Sequence, residues 1–213
     1  MLCKICNTRR PRRKCPAIGG EICSQCCGRE REVTLTCPLD CEYLRESRKH
    51  DKPEPVNPDQ FPNQDIRVTE TFLHEHEPLL IALGRAVLSA ALETPGAVDF
   101  DVREALAALI RTQRTLQSGL YYETRPENTV AAELDRRIQA SVTEFRRVET
   151  ERQQITKTRD SDVLTTLVFL QRLEIDRNNG RKKGRAFIDF LRGQLARTSG
   201  ESVVAEAPSL IVT

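Results

Sequence analysis

From residue 65 onward, apolar residues recur every three or four positions, the spacing of one face of an α-helix. Pro78 suits a first helical turn, and Leu79, Leu80, Leu83, Ala86, Val87 and Ala90 fall on the inner face of a helix ending near Leu92. Ile66–Glu77 reads as a shorter helix kinked against it, and Pro95-Gly96 ends the region. Asp101 is placed as the N-cap of the next helix, with Glu104 as its capping-box partner. The face of this helix is Ala105, Leu106, Leu109, Ile110, Gln113, Leu116 and Leu120. From Asn128 to Thr158, Val130, Leu134, Ile138, Val142, Phe145, Val148 and Ile155 form a narrow seam with charged flanks. That is about 30 residues and roughly 45 Å of helix. A helix opening at Asp160 or Ser161 is apolar most of the way round and is expected to be the most buried, ending at Asn178-Asn179-Gly180. A last helix over 184–197 presents Phe187, Ile188, Phe190, Leu191 and Leu195. The pattern predicts an all-α helical bundle over residues 65–197. Residues 198–213 read as a C-terminal tail, with Val203-Val204 and Leu210-Ile211-Val212 able to dock on the bundle or on another protein.

Before residue 65 this periodicity is absent. Four prolines between residues 51 and 64 forbid regular structure, so 49–64 reads as a semi-rigid linker carrying few contacts between the units it joins. Residues 1–48 hold all eight cysteines: Cys3, Cys6, Cys15, Cys23, Cys26, Cys27, Cys37 and Cys41. So short a segment cannot bury enough apolar surface to fold alone, and eight thiols are what two four-cysteine zinc sites require. The predicted fold is a small zinc-stabilised cysteine-rich module followed by the all-α helical bundle, with two Zn2+ as cofactors.

Cys3-Lys-Ile-Cys6 and Cys23-Ser-Gln-Cys26 are C-x2-C turns whose thiolates can converge on one metal. Pro38 suits a first helical turn, which would put Cys37 and Cys41 on one helical face at i,i+4 spacing. Two pairings follow. An interleaved arrangement assigns Cys3, Cys6, Cys23 and Cys26 to one zinc and Cys15, Cys27, Cys37 and Cys41 to the other. A sequential arrangement would take the cysteines four by four along the chain. The interleaved form keeps both C-x2-C turns whole and is preferred. Ile5-Cys6, Lys14-Cys15-Pro16 and Ile22-Cys23-Ser24-Gln25-Cys26 give this segment of about forty residues a resemblance to the zinc-finger HIT and MYND families, two-zinc cross-brace modules. Both families place a histidine among their last ligands, where this chain has only Cys37 and Cys41. The resemblance implies a protein-interaction module rather than a catalyst.

Charge refines the picture. Residues 1–50 carry eleven Lys and Arg against six Asp and Glu, while the remainder carries twenty-two against twenty-five. Arg9, Arg10, Arg12, Arg13 and Lys14 form the densest basic run, on a loop between metal ligands. They read either as a contact for phosphate or acidic peptide, or as cations offsetting the excess negative charge of thiolate sites. Arg181, Lys182, Lys183 and Arg185 form a second basic loop beside Gly184, read as a partner contact or a solvated helix–helix turn. Gly119-Leu120-Tyr121-Tyr122 reads as a ligand surface or, more commonly, as buried rings with wet hydroxyls. No nucleotide-binding or hydrolase motif is present, so a catalytic role is not expected. Neither a signal segment nor a membrane-length apolar run is seen, and clustered cysteines in a reducing compartment favour metal over disulfides. A cytoplasmic, non-enzymatic adaptor that binds protein is expected, the alternatives being a nucleic-acid-associated protein using Arg9–Lys14 and a thiol–zinc redox sensor.

Overall fold

The computed structural model describes residues 1–51, 56–120, 122–155 and 157–198, with Pro58 described by its backbone alone. The readings placed on the tail beyond Thr198 (Val203, Val204 and Leu210–Val212) and on Tyr121 lie outside the described residues.

The bundle begins with α3 (Glu70–Glu75), where the Thr69 hydroxyl accepts the amide of Phe72 at 3.1 Å. Pro78 has no N–H to extend that ladder, so the chain kinks at His76 and restarts as α4 (Glu77–Glu93). Then come α5 (Asp99–Gln117), α6 (Thr129–Gln153), α7 (Asp160–Arg177) and α8 (Ala186–Thr198). Asn128 caps α6 by accepting the amide of Val130 at 2.9 Å. Helix α5 packs on α6 and α7, α4 packs on α6, α7 and α8, and α8 closes the arrangement. Leu106, Leu109, Leu134, Ile138, Leu167 and Phe187 are fully buried where these helices meet. Burial of each such side chain stabilises by roughly 1.5–3 kcal/mol. Most positions of the predicted core faces pack there, Leu120 and Ile155 excepted.

Three local expectations are corrected. Asp101 is not the N-cap of α5 but its third residue. It accepts the amide of Val98 at 2.9 Å and the Asn128 side chain at 2.6 Å, so it ties the starts of α5 and α6 together. Helix α6 stops at Gln153 rather than Thr158, because the Glu149 carboxylate accepts the amides of Lys157 and Thr158 at 3.1 and 3.0 Å. Ile155, the last seam position, is exposed. Tyr122 is 70 % exposed rather than buried, beside an exposed Leu120.

The cysteine-rich segment folds as a hairpin, β1 (Arg13–Cys15) against β2 (Gly20–Ile22), followed by α1 (Ser24–Glu30) and α2 (Glu42–His50). It does not hang from a free spacer. The segment after the prolines docks on the bundle: Asn63 donates to Gln171 at 2.9 Å, and Arg172 donates to the carbonyls of Asn63 and Ile66 at 2.6 and 3.0 Å. Arg114 pairs with Asp65 at 2.8 Å. Leu39 of the cysteine-rich segment is buried in the bundle's own core cluster. The expectation of few contacts between the two units is not met.

Apolar periodicity also hides a set of buried polar groups. Asp135 on α6 is 3 % exposed; its Oδ2 accepts from Gln139 at 3.2 Å, and among the described residues its Oδ1 has no partner. Burial, with Glu123 adding to it, pushes this carboxyl up to about 6. A carboxyl whose pKa rises on folding keeps its proton longer in the folded chain, so stability is lost as pH climbs from about 4 to about 6. Asp135→Asn should therefore raise stability by about 1 kcal/mol above pH 7, with the gain vanishing near pH 4. Urea unfolding at the two pH values checks it.

Candidate metal centre

Cys3, Cys6, Cys23 and Cys26 bring their sulfurs within 4.8 Å of one another. Among the described residues no other group of three or more His, Cys, Asp or Glu ligand atoms converges so closely. A tetrahedral ion with metal–sulfur bonds of about 2.3 Å needs sulfurs ~3.8 Å apart, so a small contraction around the ion suffices. The set can hold a metal ion and is compatible with a zinc finger. It is the set that the interleaved arrangement assigns to one metal.

Local backbone chemistry builds it. The Cys3 amide donates to the Arg9 carbonyl and the Asn7 amide to the Cys3 carbonyl, both at 2.9 Å, closing a turn with Asn7 in the left-handed region at φ 51°. Cys23 is the N-cap of α1, its sulfur accepting the Cys26 amide at 3.4 Å, while its own amide donates to the Cys3 sulfur at 3.2 Å. These N–H groups temper thiolate charge and aim the sulfurs. Contacts from Thr8, by hydroxyl and amide, and from the Arg9 amide pull the Cys6 thiol down to about 5. Burial, reinforced by the neighbouring sulfurs, pushes Cys26 up to about 12. Metal binding at this centre must displace protons and will weaken in acid.

The other four cysteines lie elsewhere, and no three of them bring their sulfurs as close together. Cys15 at the end of β1, Cys27 on α1, and Cys37 and Cys41 before α2 line one small cavity of about 10 Å³, together with Arg13, Arg31 and Tyr43. Cys26 and Cys27 are consecutive on a helix and so face different sets. Arg13 and Arg31 donate to the Cys27 sulfur at 3.3 and 3.6 Å, and Arg13 also lies 4.8 Å over the Tyr43 ring. Burial raises the Cys37 thiol, opposed by a hydrogen bond from the Glu32 amide. The expected helical i,i+4 pair is not formed. Cys41 is the N-cap of α2, and Cys37 precedes a turn closed by the Cys41 amide on the Pro38 carbonyl at 3.0 Å. Burial of Leu39 in the bundle draws that turn out of helical geometry.

The first basic run divides. Arg13 is committed to the Cys27 sulfur, and contact with the Cys23 sulfur raises the pKa of Arg9. Arg10, Arg12 and Lys14 are exposed, Lys14 within β1 and the other two on the chain leading into it. The second run lies in the seam between finger and bundle. Arg181 donates to the Arg31 carbonyl at 2.8 Å, Lys183 Nζ to the Thr34 carbonyl at 2.7 Å, and the Arg185 amide to the Glu32 carboxylate at 3.0 Å. Lys182 remains exposed. Gly184 serves this packing, since a Cβ there would collide with Asn179 Oδ1 and lie 2.9 Å from the Arg181 carbonyl oxygen.

Sequence reasoning missed Arg31 and Glu32. Arg29-Glu30-Arg31-Glu32 looks like a solvated charge run, yet Glu32 is 2 % exposed. Its partners Asn179 and Arg185 lie about 150 residues away in the chain, and no local pattern signals a contact of that reach. No helix among the described residues is long and apolar enough to cross a membrane. No protein-family model, curated protein or solved structure matches this chain.

Proposed function

We propose that the chain is a non-enzymatic, zinc-binding adaptor of the reducing cytoplasm, its finger and helical bundle each presenting a surface to a protein partner. The observation that carries the reading is the convergence of Cys3, Cys6, Cys23 and Cys26, all thiol donors with amides aimed at the sulfurs. Four thiolates suit zinc, and a closed four-thiolate set leaves no coordination position for a substrate. The second zinc is assigned to Cys15, Cys27, Cys37 and Cys41, in the cross-brace manner of the HIT and MYND modules. Zinc bound there would carry two excess negative charges, which Arg13 and Arg31 offset.

Exposure of Arg10, Arg12 and Lys14 favours a second reading, contact with a nucleic-acid backbone. One preparation tests both. Elemental analysis should give two zinc ions per chain, and one ion, or iron, would defeat the two-site assignment. A mobility shift on mixed RNA and DNA should then show weak binding at most. Binding whose salt slope flattens by about two to three units in Arg10→Ser/Arg12→Ser/Lys14→Ser would replace the adaptor with the nucleic-acid reading.

A further inference from the structure

The two cysteine sets differ in what surrounds them. The apolar cluster around Cys3, Cys23 and Cys26 also takes in Cys15 and Cys27 but consists of finger residues alone, and Cys37 and Cys41 lie outside it. The set Cys15, Cys27, Cys37 and Cys41 sits against the border with the bundle, and three connections cross from it. Between Cys37 and Cys41 the chain inserts Leu39 into the bundle core. Arg31 holds the Cys27 sulfur with its guanidinium at 3.6 Å, and its carbonyl accepts Arg181 of the 178–185 loop at 2.8 Å.

Glu32 makes the third. Its amide donates to the Cys37 sulfur, and its carbonyl accepts the Lys183 amide at 2.8 Å. Its carboxylate accepts the Arg185 amide at 3.0 Å, Asn179 at 2.9 Å and Arg48 of α2 at 2.8 Å. Arg48 also pairs with Asp189 on α8. Glu32 takes the left-handed region at φ 53°, which a non-glycine residue keeps only where its surroundings over-determine it. Residues 31–41 form no helix or regular strand and have Leu39 as their one residue in the bundle core. Ordering such a loop costs conformational entropy that its own contacts cannot repay, so a cross-link must hold it.

We propose that the metal held by Cys15, Cys27, Cys37 and Cys41 is the clamp that fixes the finger on the bundle, whereas the metal held by Cys3, Cys6, Cys23 and Cys26 shapes the finger tip alone. This rests on the two-zinc reading above. Loss of the clamp metal, as by chelation, releases residues 31–41 from the 178–185 loop. It frees Arg181 and Lys183 from finger carbonyls and exposes a basic surface that the docked state uses internally. The metal state then sets which surface the chain offers a partner.

Amide hydrogen exchange on the full, zinc-loaded chain tests this. The Lys183 and Arg185 amides report on the seam, because their acceptors belong to Glu32. The Phe187 and Ile188 amides are internal controls, since their acceptor is Asp99 of the bundle. In Cys41→Ser, exchange at Lys183 and Arg185 should rise at least about tenfold while the controls hold. In Cys6→Ser neither pair should change. Equal loosening by both variants, or metal loss from Cys41→Ser with the seam still protected, overturns the clamp. If Cys41→Ser does not fold, chelator titration of the wild-type chain takes its place; faster Lys183 and Arg185 exchange once metal has left, with Phe187 and Ile188 unchanged, supports the clamp, and unchanged seam exchange in the metal-free chain overturns it. Metal counted on the same samples separates the two failures, because a wild-type chain with fewer than two ions sinks the two-zinc reading and the clamp with it.

Discussion

Arg103→Ala should destabilise the bundle by about 3 kcal/mol or more at pH 8, the largest loss expected from a residue with a partly exposed side chain. Its partner Glu174 on α7 is fully buried. Arg103 on α5 donates to it through Nε at 2.6 Å and Nη2 at 3.4 Å, and Asn178 adds a bond at 2.6 Å. Burial raises the Glu174 pKa in spite of these donors, and the arginine is the main influence favouring the charged form. Truncating Arg103 leaves a charge in the core with one amide donor, and Glu174 will answer by taking up a proton. The sign follows: a raised carboxyl costs little in acid and more as pH rises, so the loss should shrink toward pH 5. Arg103→Met combined with Glu174→Gln should recover most of the stability at pH 8, since both charges go together. Urea midpoints of the three chains at the two pH values decide it. A loss below about 1 kcal/mol at pH 8 would mean the pair is worth no more than a solvated surface bridge.

Glu174 also shows where the sequence stops being informative. The apolar positions of α4 to α8 could be read because burial imposes a 3.6-residue period, and Asn128 and Pro78 mark helix starts by local chemistry. The first cysteine set could be read because two C-x2-C turns converge without help from the rest of the chain. Glu174, Gln171 and Asp99 could not, since a buried polar residue has the same letter as an exposed one. Their burial depends on Arg103, Asn63 and the amides of α8, each far along the chain. The same reason hid the docking of the finger. Arg181, Lys183 and Arg185 are a plausible partner loop in isolation, and only the folded chain shows carbonyl and carboxylate acceptors of residues 31–34 opposite them. The second cysteine set lies between these cases. Its members were nameable, but the turn around Leu39 is shaped by the bundle core rather than by Pro38.

Asp99→Ala should cost about 3 kcal/mol near pH 6, by unseating the start of α8. Asp99 is 1 % exposed at the first turn of α5, and its two oxygens accept the amides of Phe187 and Ile188 at 3.0 and 3.2 Å. Both of those residues are fully buried, so their amides have no route to water once the carboxylate is gone. Leaving two buried donors unpaired costs about 1–3 kcal/mol each, less whatever local relaxation recovers. Asp99→Asn keeps one acceptor oxygen and should lose about half as much. Burial, with Glu174 adding and the two amides opposing, pushes the Asp99 carboxyl up to about 7. The wild-type fold therefore holds this proton longer than the unfolded chain does, and its stability declines as pH rises from about 4 to about 7. Neither variant has that titration. The gap between wild type and Asp99→Ala should thus be widest at about pH 4 and narrow toward pH 8, the contribution of the thiolates cancelling because both chains share them. A gap that widens with pH instead would mean that the carboxylate is stabilised in its charged form by the α8 amides, with desolvation the lesser effect.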